Sequence, residues 1–529
     1  MTKFESLQRA ISEGRMERRD FIKKATALGL AGAIPSLLLS DESMASSPKR
    51  GGTFRQGLSE GSTADTLFGV LGSGGSFQVN IQWQLLNNLT EIDPEGQVVG
   101  ELAESWEASP DATEWTFKLR KGVEFHNGKA FEAQDVVHSI NVHRGADTVS
   151  TGKGLVSSVL DVRADGKHTV IFKLDSGNAD FPYTLSDYHF PIAPDGSTPE
   201  DWEKGIGTGP YILEEWEPGV QAKTRRNPNY FKGGPNFDRV ITLNIPDVAA
   251  RMNAIRTGEV DVIDKPDIQT LHLMEREPGI VVSERSGNTH YTFPMIMNKS
   301  PFDNHNVRQA MKYAIDREAM LSTILNGHGY VGNDHPISRS QRFFAKDLPQ
   351  RSYDPDKAKH YLKKAGLSQL DVTLSAADIY AGGVNAATLF KEHAAKGNIN
   401  INIDRVSVDG YWSKVWNTVP FCVSTWAGRP TEDLMLTLAF SAKSSWNETH
   451  WNNEQFEKLL VLARAELDQI KRHEMYSEMQ RLISDEGGLI APVFANTIDI
   501  ISEKVGTPTT IASNYSSDGY RNTERWWFK

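Results

Sequence analysis

The period of the hydrophobic pattern changes near residue 285, and that change constrains the fold more than any other feature of the chain. Before it, "WTFKLR" (115–120) and "TVIFKL" (169–174) alternate apolar and polar residues, the two-residue period of half-buried strands. "IGTGPYILEEW" and "RVITLNI" read the same way between Gly and Pro clusters, and Ala249–Thr257 is the main helical stretch. After it, strands alternate with helices: "HYTFPMIMN", a helix over Val307–Leu325, then "DPDKAKHYLKKAG". In that last segment Asp354 is an N-cap, Pro355 takes the first helical position and Gly366 lies beyond the end. "LDVTLSA", a helix near Ala386–Ala395, "NINIDRVSV" and "FCVSTW" follow, then long helices at about 455–468 and 470–485, "LIAPVFAN" and a strand-poor, aromatic tail. A β-rich lobe therefore precedes an α/β lobe. No flexible linker, internal repeat or low-complexity tract separates them, so short hinges join the lobes and a ligand cleft belongs at the joint.

Residues 1–45 stand apart from this pattern. Arg18-Arg19 precedes "DFIKK", an apolar stretch Ala25–Leu39 too short to span a bilayer, and the small-x-small site Ser43-Met44-Ala45. The run resembles a twin-arginine export signal cleaved near Ala45, with an ordinary secretory signal as the alternative. The mature chain is then expected in the periplasm. No later segment is apolar for long enough to cross a membrane.

Acidic residues outnumber basic ones, 68 to 57, and no basic stripe occurs, which argues against nucleic acid or anionic lipid as partners. The single Cys422 makes no intrachain disulfide and reads as a small core residue. Enzyme signatures are missing: "GVLGSGGS" (69–76) fits neither phosphate-binding spacing, and there is no G-x-S-x-G, HExxH or CxxC. The 14 histidines are scattered, and His138 and His143 lie five apart, poor spacing for a shared metal on a helix. No cofactor and no metal site is expected.

Tryptophans are more informative. Trp412, Trp416 and Trp426 precede Trp446 and Trp451, and "STWAGRPTED" places Arg429 just beyond the first group. Core packing accounts for most of these rings. Trp412 and Trp426 beside Gly428 and Arg429 also make a stacking wall with a charged, planar donor suited to a carboxylate. Three readings of Arg429 stay open: a cleft ligand for an anion, an internal salt bridge to Glu432, Asp433 or an acid across the hinge, or a solvated loop residue.

"ELAESWEASPDATEWTFKLRKGVEFHNGKAFEAQDVVHSI" (101–140) resembles the signature of the family 5 extracellular solute-binding proteins, the periplasmic receptors of ABC importers for peptides, nickel chelates and related solutes. "GTGPYIL", "NPNYFKGGPNFDRV", "PFDNHNVRQAMKYAIDREAM", "YDPDKAKHYLKKAGL" and the 451–483 segment extend the likeness over nearly all of residues 50–529. The resemblance implies an α/β, two-lobed periplasmic binding protein of the cluster C type. Lobe I would span 50–285 with an extra β-rich subdomain at about 95–190, lobe II 286–499, and the chain would return to lobe I over 500–529.

The same resemblance places ligand contacts on the loop after the first strand, here Ser59, Glu60, Gly61 and Thr63, and on Trp426-Ala427-Gly428. Peptide receptors carry an aspartate shortly afterwards; this chain has Arg429, with Asp433 further on. Glu60 could take an amine, and Arg339 is a second candidate cation. The expected function is capture of a small peptide-like or carboxylate-bearing solute by a monomeric receptor that delivers it to ABC permease subunits. A receptor for nickel or another metal chelate is the alternative. An exported hydrolase is a third class, for which no nucleophile–base pair is visible.

Overall fold

A computed structural model of the chain describes residues 48–71, 74–380 and 382–529; the expected twin-arginine signal and the expected cleavage position near Ala45 lie outside them. The alternating segments of the first half enter two different sheets. Seven strands form the larger, in the order Ile280–Arg285, Thr497–Ser502, Val262–Asp264, Thr53–Leu58, Arg239–Asn244, Gln221–Arg226 and Tyr211–Glu217. Thr53–Leu58 is parallel to both neighbours, whereas Thr497–Ser502 inserts antiparallel between Val262–Asp264 and Ile280–Arg285. The chain end stays with this sheet: Trp526 is fully buried and meets Phe54 edge-on at 6.5 Å.

The second sheet is an antiparallel set of four, Ala103–Ala108, Glu114–Leu119, Thr169–Leu174 and Val159–Ala164. It has its own aromatic core, in which Phe117, Phe172 and Phe181 pack at centroid distances of 5.1–6.4 Å. It stands as a β-rich unit of its own beside the seven-stranded sheet.

The other lobe is built on Gly329–Val331, Leu489–Ala495, His290–Pro294 and Ser424–Trp426. Beside it, Leu370–Ala376 and Ile399–Arg405 run parallel around the crossover helix Gly383–Ala395. The chain passes between the seven-stranded sheet and this one at 286–289 and again at residue 496. Two crossings this short make a hinge. Among the described residues no helix is long and apolar enough to cross a membrane.

The structure departs from the sequence pattern at three helices. The stretch expected as one helix over Val307–Leu325 is two, His305–Tyr313 and Arg317–Ile324, because Asp316 caps the second by accepting from the Ala319 amide at 3.0 Å. Ser76–Leu85 is a helix without a polar face: every residue is buried, and Asn80 and Gln84 bond into neighbouring segments. A helix buried all round loses the 3.6-residue alternation that betrays a surface helix. Glu432–Phe440 forms directly after the Arg429 turn, with Pro430 ahead of Thr431, whose hydroxyl caps the Leu434 amide at 3.2 Å.

Candidate ligand cleft

Between the lobes lies a cavity of about 310 Å³. The seven-stranded lobe and its subdomain contribute Trp83, the 93–96 turn and Asp187; the hinge contributes Arg285 and Asn288. The other lobe contributes 340–342 and 428–430, and the returning C-terminal segment contributes Tyr515 and Arg521.

Gly428 has a direct steric reason. A Cβ there would sit 2.1 Å from the Asn288 Cβ, so only glycine lets the 426–429 strand end approach the hinge. Asn288 is itself fixed, its Oδ1 accepting from Ser338 Oγ at 2.5 Å and Ser340 Oγ at 2.7 Å. Behind the strand, Glu448 is buried and accepts from Trp416 Nε1 at 2.6 Å and Ser424 Oγ at 2.9 Å. Burial pushes its carboxyl above the usual range.

Four arginines line the cavity: Arg285, Arg342, Arg429 and Arg521. Three are neutralised from behind. Arg285 donates to Asp499 at 2.7 Å. Arg342 donates to Asp180 at 2.9 Å and has Glu432 at 3.7 Å. Arg521 lies over the Trp83 ring at 4.8 Å and is clasped by Glu101, with Glu91 at 3.2 Å and Glu524 at 3.6 Å. That cluster holds Glu91 down at about 2, burial being outweighed by Lys232, Arg521 and Arg525.

Arg429 differs. Its Nη1 donates only to carbonyls of its own turn, Ala427 at 2.7 Å and Gly428 at 3.2 Å, and its guanidinium lies 5.5 Å from the Trp426 ring centre. No carboxylate of the described residues lies within ion-pairing distance. Burial pushes its pKa below the ordinary value, opposed by Tyr515, Tyr188 and Asp187 across the cleft. Asp187 is engaged by His189 Nδ1 at 2.5 Å.

Glu432 pairs instead with Arg342, and Asp433 with Arg464 at 3.0 Å, so the internal bridges considered for Arg429 are replaced by others. Asp433 lines a neighbouring cavity of about 210 Å³ that shares Asp187 and Pro430 with the first. Ala427 adjoins the wall through its carbonyl. Trp426 is buried behind it, whereas Trp412 stands exposed at the outer end of the stack, 5.8 Å from Trp416. Arg339 turns away, its guanidinium 4.0 Å over Tyr330 and its Nε on Ser286 Oγ.

The Ser59–Thr63 loop does not line this cavity. Ser59 is taken up by Asp264, through Oγ at 2.8 Å and its amide at 2.9 Å. Glu60 forms an ion pair with Lys265, Gly61 abuts the Asn244 side chain, and Thr63 is exposed against Gly219. The cleft residues that the sequence reading did not mark, Trp83, Asp187, Arg285, Tyr515 and Arg521, come from four separated segments. Only the strand end at Arg285, ahead of a Ser-Gly-Asn hinge, carried a local hint.

The sequence profile of the bacterial extracellular solute-binding proteins, family 5 (middle), matches residues 97–448. The chain belongs to that family. Among curated relatives it is 26% identical to a di/tripeptide-binding protein of Pseudomonas aeruginosa, covering 78% of this chain and 84% of the relative. Solved structures of the same fold include HbpA2 from Haemophilus parasuis, with TM-score 0.80, 22% identity and 88% and 99% of the two chains covered. Another is the binding protein AgaA of A. tumefaciens with agropinic acid, TM-score 0.73 and 24% identity, over 90% of this chain and 99% of that one. The inter-lobe cavity of this solute-binding protein is thus its candidate solute site.

Metal chemistry has one candidate set in the described residues, Glu91, Glu101 and Glu524, whose oxygens converge. Lys232 and Arg521 already sit among them, at 2.8 Å and 3.2 Å from Glu91, so the acids hold side-chain cations there.

Proposed function

We propose that the chain is the receptor of an ABC importer for a small, carboxylate-bearing, peptide-like solute. It works in the periplasm after removal of residues 1–45, and Arg429 is the anchor for the carboxylate. The observation that carries this reading is the charge balance of the cleft: of its four arginines, Arg429 alone lacks an acidic partner among the described residues. A guanidinium that gives up water without a counter-ion is unfavourable unless a ligand supplies one. A bidentate carboxylate meets that need and fixes orientation.

The volume supports a compact solute. About 310 Å³ is at the lower end of ligand cavities, matching a dipeptide-sized or amino-acid-conjugate molecule better than an extended oligopeptide. The ligands for which these relatives are named, di- and tripeptides in one case and agropinic acid in another, are molecules of this class. Trp83 and Tyr515 supply apolar wall, and backbone groups of the 428–430 turn and the hinge supply polar contacts. A solute touching both lobes favours the closed arrangement by its differential affinity for it, and that arrangement is what a permease would recognise.

The test is mass spectrometry of solute released from protein purified out of its own periplasm, followed by calorimetric titration of the identified compound. A solute without an anionic group, or undiminished affinity in Arg429→Met, would overturn the assignment.

A further inference from the structure

Asp180 is a buried carboxylate whose cationic partners both come from the opposite lobe. It precedes the short helix Phe181–Thr184 of the four-stranded subdomain. Arg472, in the first turn of the helix Gln469–Glu486, grips it with two bonds of 2.9 and 2.6 Å. Arg342 adds a third at 2.9 Å while its guanidinium covers the Tyr183 ring at 4.1 Å. The backbone takes part as well: the Ala179 amide donates to the Arg464 carbonyl at 2.7 Å. Gly177 is pressed so closely on Ala465 that a Cβ would lie 2.8 Å from the alanine methyl.

We propose that Asp180 is a cross-cleft latch. By bridging Arg472 and Arg342 it holds the subdomain against the opposite lobe and positions Arg342 on the cavity wall, so the solute site is complete only when the lobes are engaged. Burial alone would push the Asp180 carboxyl up, but Arg342 and Arg472 hold it below its ordinary value, so it is ionised at neutral pH. The arrangement suits a reversible contact. The attraction among buried charges is largely offset by their desolvation, so separation into water is not prohibitive. After separation Arg472 keeps the Ala463 carbonyl at 3.1 Å and the Tyr476 hydroxyl at 3.4 Å, whereas Arg342 loses its hydrogen bond to Asp180 and its cover on Tyr183 and keeps Glu432 at 3.7 Å and the Phe343 ring at 4.7 Å. Arg342 is thus the cavity residue whose placement depends on closure. This goes beyond the solute class proposed above and rests only on the two-lobed fold, so it stands or falls without any solute.

The test is amide hydrogen exchange on the full-length, solute-free protein, comparing wild type with Asp180→Asn and Arg472→Lys. Exchange at the Ala179 amide and across 340–343 is expected to accelerate about tenfold or more in Asp180→Asn, while amides of Arg239–Asn244 keep wild-type protection. Should the core strand also accelerate in Asp180→Asn, Arg472→Lys decides, because it keeps the charge and removes the two-point grip. Local acceleration confined to 177–183 and 340–343 in that variant supports the latch. Wild-type protection of Ala179 in a folded variant overturns it.

Discussion

Arg429 and Arg521 share one cavity, and the structure predicts opposite consequences of replacing each by methionine. Arg521→Met leaves Glu91, Glu101 and Glu524 with Lys232 as their remaining ion-pair partner and Arg525 acting at longer range on Glu91, with Glu101 fully buried. Removing one partner of a buried ion cluster costs about 3–5 kcal/mol. Arg429→Met removes two bonds to the residue's own turn, worth about 0.5–1.5 kcal/mol each, and a ring contact worth about 0.5–1 kcal/mol. Against these stands the relieved desolvation of an unpaired guanidinium, of similar size. The net change in stability is therefore expected within about 1 kcal/mol of zero. Urea denaturation followed by tryptophan fluorescence and far-UV circular dichroism measures both, coincident transitions licensing a single free energy. Affinity separates them a second way, since losing a charge-assisted contact of about 1.5–3 kcal/mol weakens solute binding roughly ten- to a hundredfold in Arg429→Met. A stability loss in Arg429→Met equal to that in Arg521→Met would show that Arg429 is neutralised by the protein itself and refute the reasoning.

Gly428→Ala is expected to destabilise the protein by about 1–3 kcal/mol and to weaken solute binding, through the contact with Asn288. Thermal melting should show part of that loss restored in Gly428→Ala/Asn288→Gly, and unaltered melting of the single variant would contradict the packing. Lys312, fully buried with Nζ on the Ser484 carbonyl at 2.7 Å, has its pKa lowered to about 7, chiefly by burial. The unfolded chain binds this proton up to about pH 10.4, so between those values it holds more protons than the folded one and stability rises with pH. The melting-temperature difference between Lys312→Met and wild type, followed from pH 6.5 to 9, should move in favour of wild type as pH rises; a constant difference would refute the shift.

What was legible in the sequence was local. "WTFKLR" and "TVIFKL" are strands at the expected places because a two-residue period on one side of a sheet is written into consecutive residues. Asp354 caps its helix as the sequence indicates, accepting from the Lys357 amide at 2.9 Å. Helix Ser76–Leu85 was not legible, since its polar residues bond to partners as distant as Asn522. The Ser59–Thr63 loop was marked by resemblance, yet Asp264 claims Ser59 and Lys265 claims Glu60, residues some 205 positions along the chain.

By itself the sequence determined the strand-rich and α/β halves, the family, and the placing of an arginine directly after a Trp-x-Gly turn. Only the tertiary structure decided which cleft arginine lacks an acidic partner among the described residues. The acid that neutralises Arg521 lies 420 residues away, that of Arg472 lies 292 away and that of Arg285 lies 214 away. Charge compensation acts over a few ångströms of space with no regard to separation along the chain, so an unpaired guanidinium is a property of the folded cleft and not of the residues beside it.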